Sequence, residues 1–142
     1  MPDNFRAAWD EPGEARLLTI DASIVSDPEI TELNRDFRHK NRPTDVLSFS
    51  QCEAGAALVP LQPDQPCPLG DLVISIETAC RQAEERNHSL TAEMTFLTVH
   101  GTLHLWGYDH QNNSGRRTMF RLQDEIFSGL TLERSGPSHP LC

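Results

Sequence analysis

Three histidines within eleven residues, His100, His104 and His110, constrain this chain more than any other feature it carries. The four-residue step from His100 to His104 sets both on one face of a helix, one turn apart. Gly107 follows three residues later, where a helix can end in a left-handed residue at little steric cost. The chain can then fold back and carry His110 towards the first two imidazoles. Three neutral imidazoles converging on one point form an open zinc site, with a fourth position left for water or substrate. Structural zincs are normally closed by four ligands and rich in cysteine, so an all-histidine set argues for chemistry over a structural role.

The spacing H-x3-H-x5-H, with glycine seven residues after the first histidine, is similar to the extended zinc motif of the metzincin proteases. In those enzymes a glutamate follows the first histidine and serves as general base; here Gly101 stands in its place. The chain keeps the ligands of a hydrolytic site, one zinc per chain, and lacks the protease base.

At 142 residues the chain is long enough for one domain with a substantial core and no staples. No apolar run approaches the ~18–20 residues of a membrane span. The opening stretch MPDNFRAAWDEPGEAR has no apolar core of a signal peptide. Cys52, Cys67, Cys80 and Cys142 are scattered with no C-x-x-C pair, which suits neither a disulfide framework nor a zinc knuckle and fits a reducing cytoplasm. A net charge of −9 is unfavourable for a broad nucleic-acid surface, because phosphate contacts need cations. Arg35, Arg38, His39, Lys40 and Arg42 nonetheless fall within eight residues, a local basic edge compatible with RNA.

Residues 1–15 read as a polar lead-in, 16–130 as the domain and 131–142 as a disordered tail with two prolines. Arg16–Asp21 predicts a first strand. Ser26 then caps a helix, with Pro28 in its first turn, Glu29 closing a capping box and Ile30, Leu33 and Phe37 forming an apolar stripe. Pro43 is expected to stop it. Val46–Phe49 predicts a short strand. Four prolines make 51–69 mostly loop, with an edge strand at 57–59. Leu72–Ile74 suits a strand buried on both faces. Ser75 caps a helix carrying Ile76, Ala79, Cys80 and Ala83 and ending near Asn87. From Leu90 to Leu105, capped by Ser89, runs a helix apolar over most of its circumference, hence central and buried, holding His100 and His104 rigidly. A last helix, Ser114 to Phe127, carries Met119, Leu122 and Ile126.

Three ordered stretches carry a family resemblance. Leu33-Asn34-Arg35-Asp36-Phe37-Arg38 with Pro43-Thr44-Asp45-Val46-Leu47-Ser48-Phe49 resembles the first signature of the YbeY family of ribosomal RNA maturation endoribonucleases. Gly70-Asp71-Leu72-Val73-Ile74-Ser75 resembles the second, and His100–His110 is similar to the third, H-G-x-L-H-L-x-G-Y-D-H. The resemblance spans roughly residues 16–129. Ser50 and Trp106 depart from the usual family residues, and 51–69 has no clear family pattern. The resemblance implies an α+β single domain, with a small mixed sheet of about four strands flanked by helices and the zinc site opening into a cleft. It implies a single-strand-specific endoribonuclease of ribosome biogenesis, maturing the 3′ end of 16S rRNA and serving ribosome quality control. Small-subunit or other ribosomal partners would follow, with no DNA and no membrane. Arg38 and His100 match the family's activity-linked residues.

The residue types suit that chemistry. A guanidinium such as Arg38 can hold a phosphate by two parallel contacts. Thr44 and Ser48 can donate hydrogen bonds to substrate, and Asp109 can orient a histidine or reach the metal. Two other readings compete: a zinc hydrolase of peptides or small molecules, and a ribosome-associated factor whose zinc is structural.

Overall fold

The computed structural model describes residues 17–51, 66–108, 113–130 and 141–142. The expected lead-in at 1–15 and edge strand at 57–59 lie outside the described residues, as do Asp109 and His110. Among the described residues the elements run β1 (Leu18–Val25), α1 (Asp27–Arg38), β2 (Val46–Ser50), β3 (Cys67–Ser75), α2 (Ile76–Glu85), α3 (Leu90–Leu105) and α4 (Asn113–Gly129). They make an α+β unit whose sheet has three described strands, ordered β1-β3-β2; the fourth strand expected, at 57–59, falls outside the described residues. β3 pairs in parallel with β1 and antiparallel with β2, so the sheet is mixed.

The central strand follows its sequence. Leu72, Val73 and Ile74 are all buried, and alternate side chains leave β3 on opposite faces. Val73 joins Ile30 of α1 and Leu47 of β2 on one face. On the other, Leu72 meets Leu105, and Ile74 meets Leu97 with Ala79, Cys80 and Leu90. The sheet is thus sandwiched between α1 and α3. β3 also begins earlier than the prolines suggest, at Cys67. A register shift between Thr19 and Ile20 takes up the extra residue beside Pro68, and proline is tolerated at such irregularities. Gly70 has φ +152°, and any Cβ there would collide with the Phe49 carbonyl oxygen and Leu105.

α1 starts as its capping box dictates. The Ser26 N–H donates to Glu29 Oε2 at 2.8 Å, and the Glu29 N–H donates to Ser26 Oγ. Its end comes before Pro43: His39 adopts φ 58°, ψ 33°, and its N–H donates to Arg35 O at 3.1 Å. A left-handed residue stops a helix without help from proline. Phe37, placed on the core stripe by periodicity, is 61% exposed and packs edgewise on Phe49.

The N-termini of α1 and α2 cap one another. The Asp27 carboxylate accepts from Ser75 Oγ (2.5 Å) and Thr78 Oγ1 (2.7 Å) and pairs with Arg81 (2.8 Å). In return Glu77 accepts the Asp27 main-chain N–H. Two helix starts brought together would set two partial positive charges side by side, and the exchanged carboxylates offset both. Burial pushes the Asp27 carboxyl up, but the bonds from Ser75, Thr78 and Arg81 and the Arg81 charge outweigh it and hold it below its ordinary 3.8.

One cysteine expectation is corrected. Cys80 in α2 is bonded to Cys142, with Cα atoms 5.6 Å apart. A separation of 62 residues leaves no spacing signal, so the pair could not be read from the chain.

Candidate metal and phosphate site

A cleft of about 810 Å3 opens where the end of α1, the 39–45 connection and β2 face the last turns of α3. Arg38, Lys40 and Arg42 line it from one side, and His100, His104 and Tyr108 from the other. Thr44, Asp45 and Ser48 also reach it. On a chain of net charge −9, this places three cations around one concavity.

His100 and His104 lie one turn apart on α3 and meet edge to face, with ring centroids 4.8 Å apart and planes at 74°. Their Nε2 atoms are 3.2 Å from one another. Two imidazole nitrogens bound at about 2.0–2.1 Å to a tetrahedral zinc lie roughly 3.3–3.4 Å apart. The pair therefore fits two corners of such a site. His110 lies outside the described residues, and among those described no group of three histidine, cysteine or carboxylate side chains could hold a metal.

α3 ends as Gly107 predicts. Gly107 has φ 82°; its N–H donates to His104 O at 2.9 Å, and the Tyr108 N–H reaches Leu103 O at 3.0 Å. That double closure is a Schellman motif, and it ends the helix directly after the two histidines.

Gly101 explains the missing base. A Cβ at this position would lie 2.7 Å from Leu72 Cδ2, 3.2 Å from Ser48 Oγ and 3.3 Å from Val46 Cγ2. The residue after the first histidine faces the sheet, where any side chain would have to displace the buried Leu72 methyl. The close approach also lets Ser48 Oγ donate to Gly101 O at 3.1 Å, tying β2 to the histidine helix.

The remaining candidates are placed as follows. Arg38 donates from Nη2 to Ser48 O at 3.1 Å. Thr44 lines the cleft and donates to Asp45 Oδ1 at 3.3 Å, so the Thr44 and Ser48 hydroxyls each have a partner inside the protein. Asp109 lies outside the described residues.

Two residues escaped the sequence reading. Asn34, 3% exposed, donates from Nδ2 to Arg42 O at 2.8 Å and so fastens the basic connection to α1. Gln123, 2% exposed, meets His100 Nδ1 through Oε1 at 2.7 Å. A helical wheel places Gln123 one turn after Met119, and those two are the buried residues of α4. Ile126, assigned to the core stripe, is 43% exposed and borders an apolar groove with Trp106 and Leu122.

Residues 5–131 match the family model described as Endoribonuclease YbeY. The chain is 46% identical over 118 residues to the endoribonuclease YbeY of Halalkalibacterium halodurans, covering 82% of this chain and 74% of that one. With the Bacillus licheniformis endoribonuclease YbeY it shares 45% over 132 residues, covering 92% and 82%. It also resembles the solution structure of a Thermotoga maritima protein, with a TM-score of 0.53 at 28% identity, over 88% of this chain and 75% of that one. A single sheet-and-helix domain with a histidine pair and a basic cleft, matched along nearly its whole length, belongs to the YbeY family of endoribonucleases.

Proposed function

We propose that the enzyme is a zinc-dependent, single-strand-specific endoribonuclease that matures the 3′ end of 16S rRNA and contributes to ribosome quality control in the cytoplasm. The observation that carries this reading is the 3.2 Å approach of two imidazole Nε2 atoms at the wall of a cleft faced by Arg38, Lys40 and Arg42. His100, His104 and His110 would hold the ion. Bound there, zinc supplies a Lewis acid that lowers the pKa of water towards ~7 and neutralises phosphate charge.

The chain's own residues do the rest. Arg38 keeps one N–H on Ser48 O, which fixes the guanidinium plane, and turns its other donors to a phosphate. Ser48 sets the distance between that guanidinium and α3, because its carbonyl holds Arg38 while its hydroxyl holds Gly101. Lys40 and Arg42 extend the positive surface along a single strand, whose unpaired bases leave its backbone free to bend into the cleft. A duplex has no such freedom. Ribosomal proteins of the small subunit are the natural guides to one site among many.

Gly101 weighs against a peptidase, since its Cβ direction is filled by Leu72. The deciding experiment compares metal-free, zinc-restored and untreated protein on single-stranded RNA, with end-group analysis of the products. Zinc-restored cleavage supports the reading; full activity after complete metal removal would overturn it.

A further inference from the structure

The geometry points to Gln123 as the residue that positions His100 for metal binding, by holding its ring in one tautomer through a neutral side-chain amide. This rests on the zinc reading above and extends it to a residue outside the histidine motif.

Gln123 is 2% exposed on α4, a helix otherwise remote in sequence from the site, and its Oε1 lies 2.7 Å from His100 Nδ1. An amide oxygen only accepts, so the proton between the two atoms belongs to Nδ1. A neutral imidazole carries a single N–H. Its lone pair is then on Nε2, the atom that faces His104 Nε2 at 3.2 Å. Rotation of the ring about χ2, or a switch of tautomer, would break this part-buried hydrogen bond and leave the amide oxygen of a buried side chain without its imidazole donor. His100 thus has its ligating atom aimed before any metal arrives.

The choice of amide has a chemical consequence. Metal-bound histidines commonly donate their second N–H to a carboxylate or a carbonyl, which fixes the ring and raises its basicity. A carboxylate would add a negative charge beside a cleft that has to admit a phosphodiester. Gln123 gives the same orientation with no charge. The acceptor is held in turn by packing: Met119, one turn earlier, is 1% exposed, and α4 lies against α3.

Long-range 1H–15N correlation spectra of the metal-free protein read the His100 tautomer directly, and competition with a chromophoric chelator reads zinc affinity. In the wild type His100 should be the Nδ1–H form. In Gln123→Met, which keeps the volume and removes the acceptor, that preference should vanish and zinc affinity should fall by about 10–100-fold. Gln123→Glu should retain the tautomer and bind zinc at least as tightly as the wild type, which a purely packing role would not predict. Should Gln123→Met fail to fold, Gln123→Glu and Gln123→Asn carry the same test, the shorter Asn withdrawing the acceptor. An unchanged tautomer and unchanged affinity in the Met or Asn variant would overturn the inference. If the wild type bound no zinc, the metal reading would fail, while the tautomer spectra would still judge Gln123 by themselves.

Discussion

Arg38 of α1 and Ser48 of β2 are joined by a hydrogen bond from the guanidinium Nη2 to the main-chain carbonyl, 3.1 Å long. Because Ser48 Oγ also donates to Gly101 O, one strand residue connects the candidate phosphate ligand to the helix of His100 and His104. Arg38→Ala should therefore leave the fold and the metal content intact, at a stability cost of about 0.5–1.5 kcal/mol. RNA cleavage should fall by roughly 10²–10³-fold, as for loss of one preorganised donor to developing charge. Cleavage at the wild-type rate would remove Arg38 from the site.

His104→Ala should abolish stoichiometric metal binding while the chain still folds, since the core of α3 is built from Leu97, Leu103 and Leu105. Zinc at about a thousand times its Kd should stabilise the wild type by about 4 kcal/mol and the variant hardly at all. Elemental analysis and thermal unfolding with and without zinc check both. Equal zinc stabilisation of the two proteins would show that the ion sits elsewhere.

Gly101→Glu is expected to prevent folding or to lower stability by several kcal/mol, because the new side chain would be driven into Leu72, Ser48 and Val46. Gly101→Ala, adding a single carbon against the same atoms, should cost about 1–3 kcal/mol. Thermal unfolding of the alanine variant is the sharper measurement: a stability equal to the wild type would mean that the helix and sheet can move apart without penalty. Had the position faced the cleft, glutamate would instead repel the phosphodiester in a folded protein. The filled space beside Leu72 decides between the two.

Asp27 predicts the acid limb of stability. Its carboxyl is held below 3.8 by the Ser75, Thr78 and Arg81 contacts after these overcome burial. A depressed carboxyl contributes stability that is present above its unfolded value, near ~3.9, and lost as pH falls through the folded value. Stability should thus drop below about pH 4, and in Asp27→Asn that drop should be shallower from a lower starting point. Chemical denaturation across pH 2.5–7 tests it; parallel curves for the two proteins would assign the acid loss to other groups.

Opening the Cys80–Cys142 bond should lower stability by up to about 4 kcal/mol, the loop-closure value for a separation of 62 residues. Zinc binding should be unaffected, because neither cysteine lines the cleft. Thermal unfolding and zinc titration, before and after reduction by a phosphine that is then removed, read the two quantities. A change in zinc affinity on reduction would reveal a link between the tether and the site.

Local signals were easily read in the chain. The Ser26 capping box, the doubly buried Leu72–Ile74 strand and the Gly107 turn each depend on neighbours a few residues away, and the structure contains all three. What escaped was set by contacts over long separations. Gln123 reaches His100 across 23 positions, and Cys80 reaches Cys142 across 62; periodicity says nothing about either. Phe37 and Ile126 show the complementary failure: a helical stripe marks residues able to enter a core without revealing how wide that core is. His39 in the left-handed region ended α1 where Pro43 had been given the role, because a backbone torsion at a non-glycine residue has only a faint sequence signature.

The tight seat of Gly101 also has an evolutionary meaning. A protease ancestor and a nuclease ancestor with the same histidine spacing would differ by one codon on paper, yet the two solutions are not neighbours in accessible sequence space. Installing glutamate after His100 requires that Leu72, Ser48 and Val46 yield room first, and each of those changes would weaken the sheet before any new activity repaid it. A lineage that has pressed its histidine helix onto the sheet at this glycine is committed to finding its proton acceptor elsewhere.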